Sequence, residues 1–184
     1  MPNPADIYSD YYIQTQAGGW SPCIEGNNAY GLRPFPGSVL PNCVGYTVGR
    51  FNELLNEGAC TWLGSVNANQ MLSLAISQGL SSGDDPKVGG VICWDDGNAG
   101  HCAVIEEVID AYTVRTSESG WNYTSPPIVT DNIRTRTGNS WDPPWAGYVY
   151  QGVFYPPHSI TLDKDILLMI LKRRRTDFTP WKED

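Results

Sequence analysis

Three side chains of this sequence could together cleave an amide: Cys43 in Pro41-Asn42-Cys43-Val44-Gly45-Tyr46, His101 in Gly100-His101-Cys102, and Glu118 in Ser117-Glu118-Ser119-Gly120-Trp121. A thiol attacks a carbonyl as its thiolate, so it needs a base that takes its proton. The base in turn needs a polar group that fixes its tautomer and orientation. A thiol, an imidazole and a carboxylate fill these roles in that order. Order along a chain says little by itself, so the elements that carry the three groups matter.

Val44, Thr47, Val48, Phe51, Leu54 and Leu55 fall on one stripe at helical spacing, which predicts a helix from Cys43 to about Leu55, with Asn42 as N-cap and Glu57-Gly58 near its stop. Cys43 then lies in the first turn, where the positive end of the helix dipole and unpaired N–H groups lower a thiol's pKa and can receive an oxyanion. Met71, Leu72, Leu74, Ala75 and Ile76 predict a second helix over Asn67–Gln78, ended by Gly79. From there the period becomes two, with strands expected at 88–94, 101–109, 112–118 and 147–155 and turns at 95–98 and 110–111. His101, Ala103 and Ile105 share one strand face; Tyr112, Val114, Thr116 and Glu118 share another. A hairpin turning near Asp110 can set Glu118 beside His101.

A chain of 184 residues with 41% hydrophobic content is sized for one domain that buries its own core. The formal net charge of −8 argues against a nucleic-acid surface, and the one dense basic patch is Lys172-Arg173-Arg174-Arg175. No stretch reaches the ~20 apolar residues of a membrane span. The first residues lack the plan of a signal peptide, so synthesis in the cytoplasm is expected. Five cysteines, an odd number without a C-x-x-C pair, signal neither a zinc ribbon nor a full disulfide framework. Cys93 and Cys102 flank a short turn and read as small buried apolar residues, with a cross-hairpin disulfide as the alternative. Residues 1–40, rich in Gly, Pro, Asn and aromatics, are expected to wrap the domain, 41–157 to form its core, and 158–184 to be a tail with a short helix. The tail's six apolar residues from Ile166 to Leu171 need cover from the domain or from a partner chain.

The helix start around Asn42-Cys43-Val44-Gly45-Tyr46 with Gly49-Arg50, the strand Pro86–Trp94, the strand Gly100–Glu106, the segment Thr116–Trp121 and the closing strand Gly147–Tyr155 together resemble the CHAP family, the cysteine, histidine-dependent amidohydrolase/peptidase domains of peptidoglycan hydrolases. The likeness spans roughly Trp20 to Pro157. It implies an α+β papain-like fold, with N-terminal helices packed on an antiparallel sheet. It also implies Cys43 as nucleophile, His101 as general base and Glu118 as the group orienting His101. Members are N-acetylmuramoyl-L-alanine amidases or endopeptidases of stem or cross-bridge peptides, many in phage endolysins or virions. Peptidoglycan is therefore the expected partner, with the cell wall as the place of action.

Some members carry an acidic calcium loop before the nucleophile; Gly31–Leu40 has no carboxylate, so no metal or other cofactor is expected. Some have Asn two residues after the acidic group, where this sequence has Gly120. The oxyanion is expected at the Cys43 N–H with help from Asn42. Tyr46, Trp94 and Trp121 are candidate groove walls; for Trp94 the core at the end of its strand is the favoured place, and for Trp121 core and groove are weighed evenly. The rival functions are a papain-like peptidase acting on protein and a catalytically silent phage structural or wall-binding module.

Overall fold

Asn42 starts helix α1 (Cys43–Leu55): its Oδ1 accepts a hydrogen bond from the Gly45 N–H at 2.9 Å, satisfying a donor that a helix start leaves open. The structure is a computed structural model that describes residues 4–12, 38–55, 62–64, 66–120 and 129–157. Most of the wrapping segment, the 158–184 tail and Trp121 lie outside the described residues. Helix α1 is buried without a break from Gly45 to Asn52, so a single apolar stripe understates it. Its polar flanks are buried with partners. The Arg50 guanidinium donates to both Glu106 oxygens at 2.7 and 2.8 Å and to Glu53 at 2.6 Å. Asn52 exchanges hydrogen bonds with the backbone of Trp62. Gly49 makes such enclosure possible, because a Cβ there would come within 2.5 Å of the Tyr12 ring.

Helix α2 (Ala68–Ser77) ends within one residue of expectation at each side. Gln70 accepts from the Asn67 N–H at 3.3 Å, and Gly79 takes φ +87° to turn the chain away.

Among the described residues seven strands follow: β1 (Ser82–Gly83), β2 (Val91–Asp95), β3 (His101–Asp110), β4 (Thr113–Ser119), β5 (Val129–Thr137), β6 (Ser140–Trp141) and β7 (Val149–Phe154). They form one antiparallel sheet in the order β1-β7-β2-β3-β4-β5-β6. The expected strand at 88–94 is shorter, because Val88–Gly90 form a turn with Gly89 at φ +79° and the Gly90 N–H on the Lys87 carbonyl. Strands β1, β5 and β6 were not among those expected. Val91, Cys93, Cys102, Val104 and Phe154 face the helices. Ile92, Trp94, Ala103, Ile105, Val114 and Val153 face the other way and meet Trp141 of β6, so the sheet curls over its own second face. The fold is α+β, two helices against a curled antiparallel sheet. Cys93 and Cys102 stand opposite each other on β2 and β3, both buried and both free thiols, as small apolar fillers do.

Candidate active site

The turn between β2 and β3 is pinned to the start of α2. The Asn69 N–H donates to the Ala99 carbonyl at 3.0 Å and Asn69 Nδ2 to the Asn98 carbonyl at 2.9 Å. Gly100 sits in this clasp at φ +75°, where a Cβ would lie 2.5 Å from the Trp94 carbonyl oxygen and 2.6 Å from the Asn69 nitrogen. Only glycine fits, and the next residue, His101, opens β3 with its ring stacked on Trp94 at 6.0 Å.

Val104 pairs with Ser117 and Ile105 with Thr116. Continued toward the start of β3, this register sets Glu118 across from Ala103. His101 and Glu118 are thus diagonal neighbours on one face, not directly opposed, and the length of the glutamate closes the gap: Nε2 and Oε2 are 2.5 Å apart. The start of α1 meets the start of β3, with Cys102 Sγ 3.5 Å from the Cys43 carbonyl oxygen. Because Nε2 is committed to Glu118, Nδ1 is the ring nitrogen left for the Cys43 thiol, and the charged forms of Cys43 and His101 favour each other.

Several neighbours converge on the Cys43 sulfur. The Cys102 thiol, packed on the start of α1, stabilises the thiolate most. Burial opposes it, but the hydrogen bond and charge of His101 and the Val44 N–H add to Cys102 and hold the thiol well below its usual range. Cys102 moves the other way, pushed up by burial and by the Cys43 charge, so the half-buried Cys43 at the helix start carries the negative charge. Burial alone would push His101 down; its bonds to Cys43 and Glu118 outweigh that and push it up to about 9. Glu118 is also pushed up by burial, yet the His101 and Arg134 contacts prevail and hold it below the usual carboxylate range. The arrangement favours a thiolate–imidazolium pair at neutral pH. The pair exists above the lowered Cys43 pKa and below that of His101. Alkylation of Cys43 by iodoacetamide should therefore stay fast at pH values where an ordinary thiol is protonated, which peptide mass spectrometry at Cys43 would measure.

The structure takes Tyr46 out of the expected groove and sets Trp94 in the core, the place favoured for it. Tyr46 is 1% exposed, stacks on Tyr12 and donates its hydroxyl to Ser117 Oγ at 2.8 Å. Trp94 is 0% exposed and donates its indole N–H to the Trp141 carbonyl. Neither reaches a surface that a substrate could touch. Aromatic exposure at the site comes instead from Trp145, 45% exposed and edge-on to His101 at 4.8 Å, with Tyr148 against it at 5.4 Å. Tyr148 hydrogen-bonds Asp96 and feels the charge of Cys43. Two more residues that the sequence reading missed, Asn132 and Arg134 of β5, bind Glu118.

All three of Cys43, His101 and Glu118 fall within residues 34–120, and that span matches the model of the CHAP domain family. Residues 34–120 of this chain are similar to CHAP domains. The matched span is shorter than the resemblance seen in the sequence; β5, β6 and β7, which complete the sheet, lie beyond the match. CHAP domains form a family of hydrolases. A curated relative from Streptococcus mutans serotype c, provisionally named a hydrolase, is 35% identical over 98 residues. That match covers 51% of this chain and 45% of the relative, so the chain spans under half the length of that protein. Among solved structures, the N-acetylmuramoyl-L-alanine amidase from Staphylococcus aureus aligns with a TM-score of 0.42 at 15% identity, over 68% of this chain and 33% of that one.

Proposed function

We propose that the chain hydrolyses an amide bond of bacterial peptidoglycan, as an N-acetylmuramoyl-L-alanine amidase or as an endopeptidase of the stem or cross-bridge peptide, with Cys43 as nucleophile. The observation that carries this reading is the meeting of a helix-start thiol, His101 and buried Glu118 inside the CHAP match. In the first half-reaction the Cys43 thiolate bonds to the amide carbon, and the oxyanion faces the N–H groups at the start of α1. Asn42 Oδ1 is spent on the Gly45 N–H, so only its Nδ2 remains to help there. The C–N bond then breaks as His101 gives its proton to the departing amine, which leaves a thioester and a neutral imidazole. Next His101 takes a proton from water, the hydroxide bonds to the thioester carbon, and the C–S bond breaks. A carboxylic acid leaves, and the thiolate–imidazolium pair is restored. Glu118 stays ionised throughout and holds the ring in place.

Because the leaving amine needs the His101 proton, hydrolysis should fall as pH rises through about 9, the point at which that proton is lost; a pH profile of initial rates checks this. Trp145 supplies a wall for the substrate beside His101, and Trp145→Ala should lower kcat/KM roughly 5- to 10-fold, the worth of about one aromatic contact, with little change in melting temperature. The reading itself is tested with dye-labelled sacculi and a dye-labelled unfolded protein side by side. Release from sacculi supports it, whereas release from the protein alone makes the chain a papain-like peptidase. The resemblance suggests delivery as a phage lysin or virion component.

A further inference from the structure

We propose that Arg134, together with Asn132, is a positioning residue for the chemistry of Cys43: the two β5 side chains hold one oxygen of Glu118 and leave the other aimed at His101. The inference rests on the reading of Cys43 as nucleophile. Glu118 is 0% exposed, and a carboxylate so buried stays charged only when its lone pairs are matched. His101 occupies Oε2. Oε1 receives Asn132 Nδ2 at 2.6 Å, Arg134 Nη2, and Thr116 Oγ1 at 3.4 Å. The division of labour comes from register: Thr130, Asn132 and Arg134 stand opposite Glu118, Thr116 and Val114, so alternate β5 side chains point inward over the carboxylate. Asn132 is steadied by Thr130 Oγ1 at 3.1 Å, and the guanidinium lies 5.6 Å over the Trp94 ring, the same ring that stacks on His101.

Charge balance gives the clamp its use. The cluster joins Cys43 from α1, His101 from β3, Glu118 from β4 and Arg134 from β5. The nearby thiols Cys93 and Cys102 are pushed upward and keep their protons, and Tyr148 beside Asp96 is raised as well. Arg134 offsets Glu118, which leaves the imidazolium charge to serve the thiolate. Without Arg134 the Glu118 carboxyl takes up a proton at higher pH. A protonated Glu118 supports the imidazolium less, and Cys43 then needs higher pH to ionise.

The test follows iodoacetamide alkylation at the Cys43 peptide of the full chain across pH, for wild type, Arg134→Gln, Arg134→Lys, Glu118→Gln and the double variant Glu118→Gln/Arg134→Gln. The acid midpoint should rise by about 1 pH unit in Arg134→Gln, rise less in Arg134→Lys, and not rise further when Arg134→Gln is added to Glu118→Gln. An unchanged midpoint in Arg134→Gln, or an equal further rise in the double variant, overturns the proposal. If Arg134→Gln does not fold, Arg134→Lys decides: a raised midpoint supports the clamp and a wild-type midpoint removes it. This readout needs no substrate, so a chain that shows these shifts but leaves sacculi intact keeps the clamp and loses the peptidoglycan reading.

Discussion

Cys43→Ala should cut amide hydrolysis by about 10⁴-fold or more, because removing the nucleophile of such a group costs nearly as much as removing all its members. The fold should survive. Cys43 is half-buried at the first turn of α1, and that start is set by the Asn42 cap and by the buried run from Gly45 onward, neither of which uses the sulfur. Alanine is also a good helix former. Initial rates and a urea melt of the variant measure both halves. A variant that keeps more than a hundredth of wild-type activity would show that another group attacks the bond. One that loses activity by unfolding would say nothing of the nucleophile, and Cys43→Ser then serves as the smaller change.

The second large effect is on stability. Arg50, 2% exposed in the middle of α1, is gripped by Glu106 of β3 and by Glu53 one turn on. The network continues: Glu53 accepts from the Tyr12 hydroxyl at 2.9 Å, Glu106 from Ser117 Oγ at 2.6 Å, and Ser117 Oγ from Tyr46. It fastens the helix that starts at Cys43 to the two strands that carry His101 and Glu118. Arg50→Met leaves two carboxylates half-buried without their cation, and breaking a buried ion pair by removing one partner costs about 3–5 kcal/mol. A urea melt should show that loss. Adding Glu53→Gln and Glu106→Gln should recover much of it, since the cost lies in the stranded charges; a triple variant no more stable than the single one would contradict this account.

What the sequence disclosed and what it hid divide along physical lines. Helix α1 was legible because a cap residue, Asn42, precedes a run at helical spacing, and β2–β4 and β7 because apolar residues alternate or run between turn signals. The meeting of Cys43, His101 and Glu118 followed from those elements, since a first-turn thiol, a strand-opening histidine and a strand-parity glutamate leave little freedom. Strand β5 was hidden because its pattern is inverted: Asn132, Arg134 and Arg136 point inward while Ile133 is 53% exposed. Hydrophobic alternation has nothing to detect there. The signal that remained was the alternation of arginine with β-branched residues in Ile133-Arg134-Thr135-Arg136-Thr137. Those inward polar groups are the ones that hold Glu118 and flank Trp94 and Trp141, so the hidden strand carries much of the site's support.

Tyr46 was misplaced, and Trp145 missed, for a related reason. A ring's chemistry is the same in a groove and in a core, and only packing decides: Tyr46 and Trp94 were buried by Tyr12, His101 and Trp141, while Trp145, in the loop Asp142-Pro143-Pro144-Trp145, lay outside any periodic element that would have drawn notice. The buried sides of α1 escaped likewise, because nothing local marks Arg50 and Asn52 as buried and their partners lie 56 and 10 residues away.

The central claim is that Cys43 cuts an amide of the bacterial wall. Digesting purified sacculi from several Gram-positive and Gram-negative bacteria with the wild-type chain and with Cys43→Ala, and identifying the released fragments by mass spectrometry, tests it most directly. Fragments from the wild type alone are expected, with a new N-terminal alanine for an amidase or a new terminus inside the stem or bridge for an endopeptidase. The same fragments from both chains, or none from any wall, would contradict it.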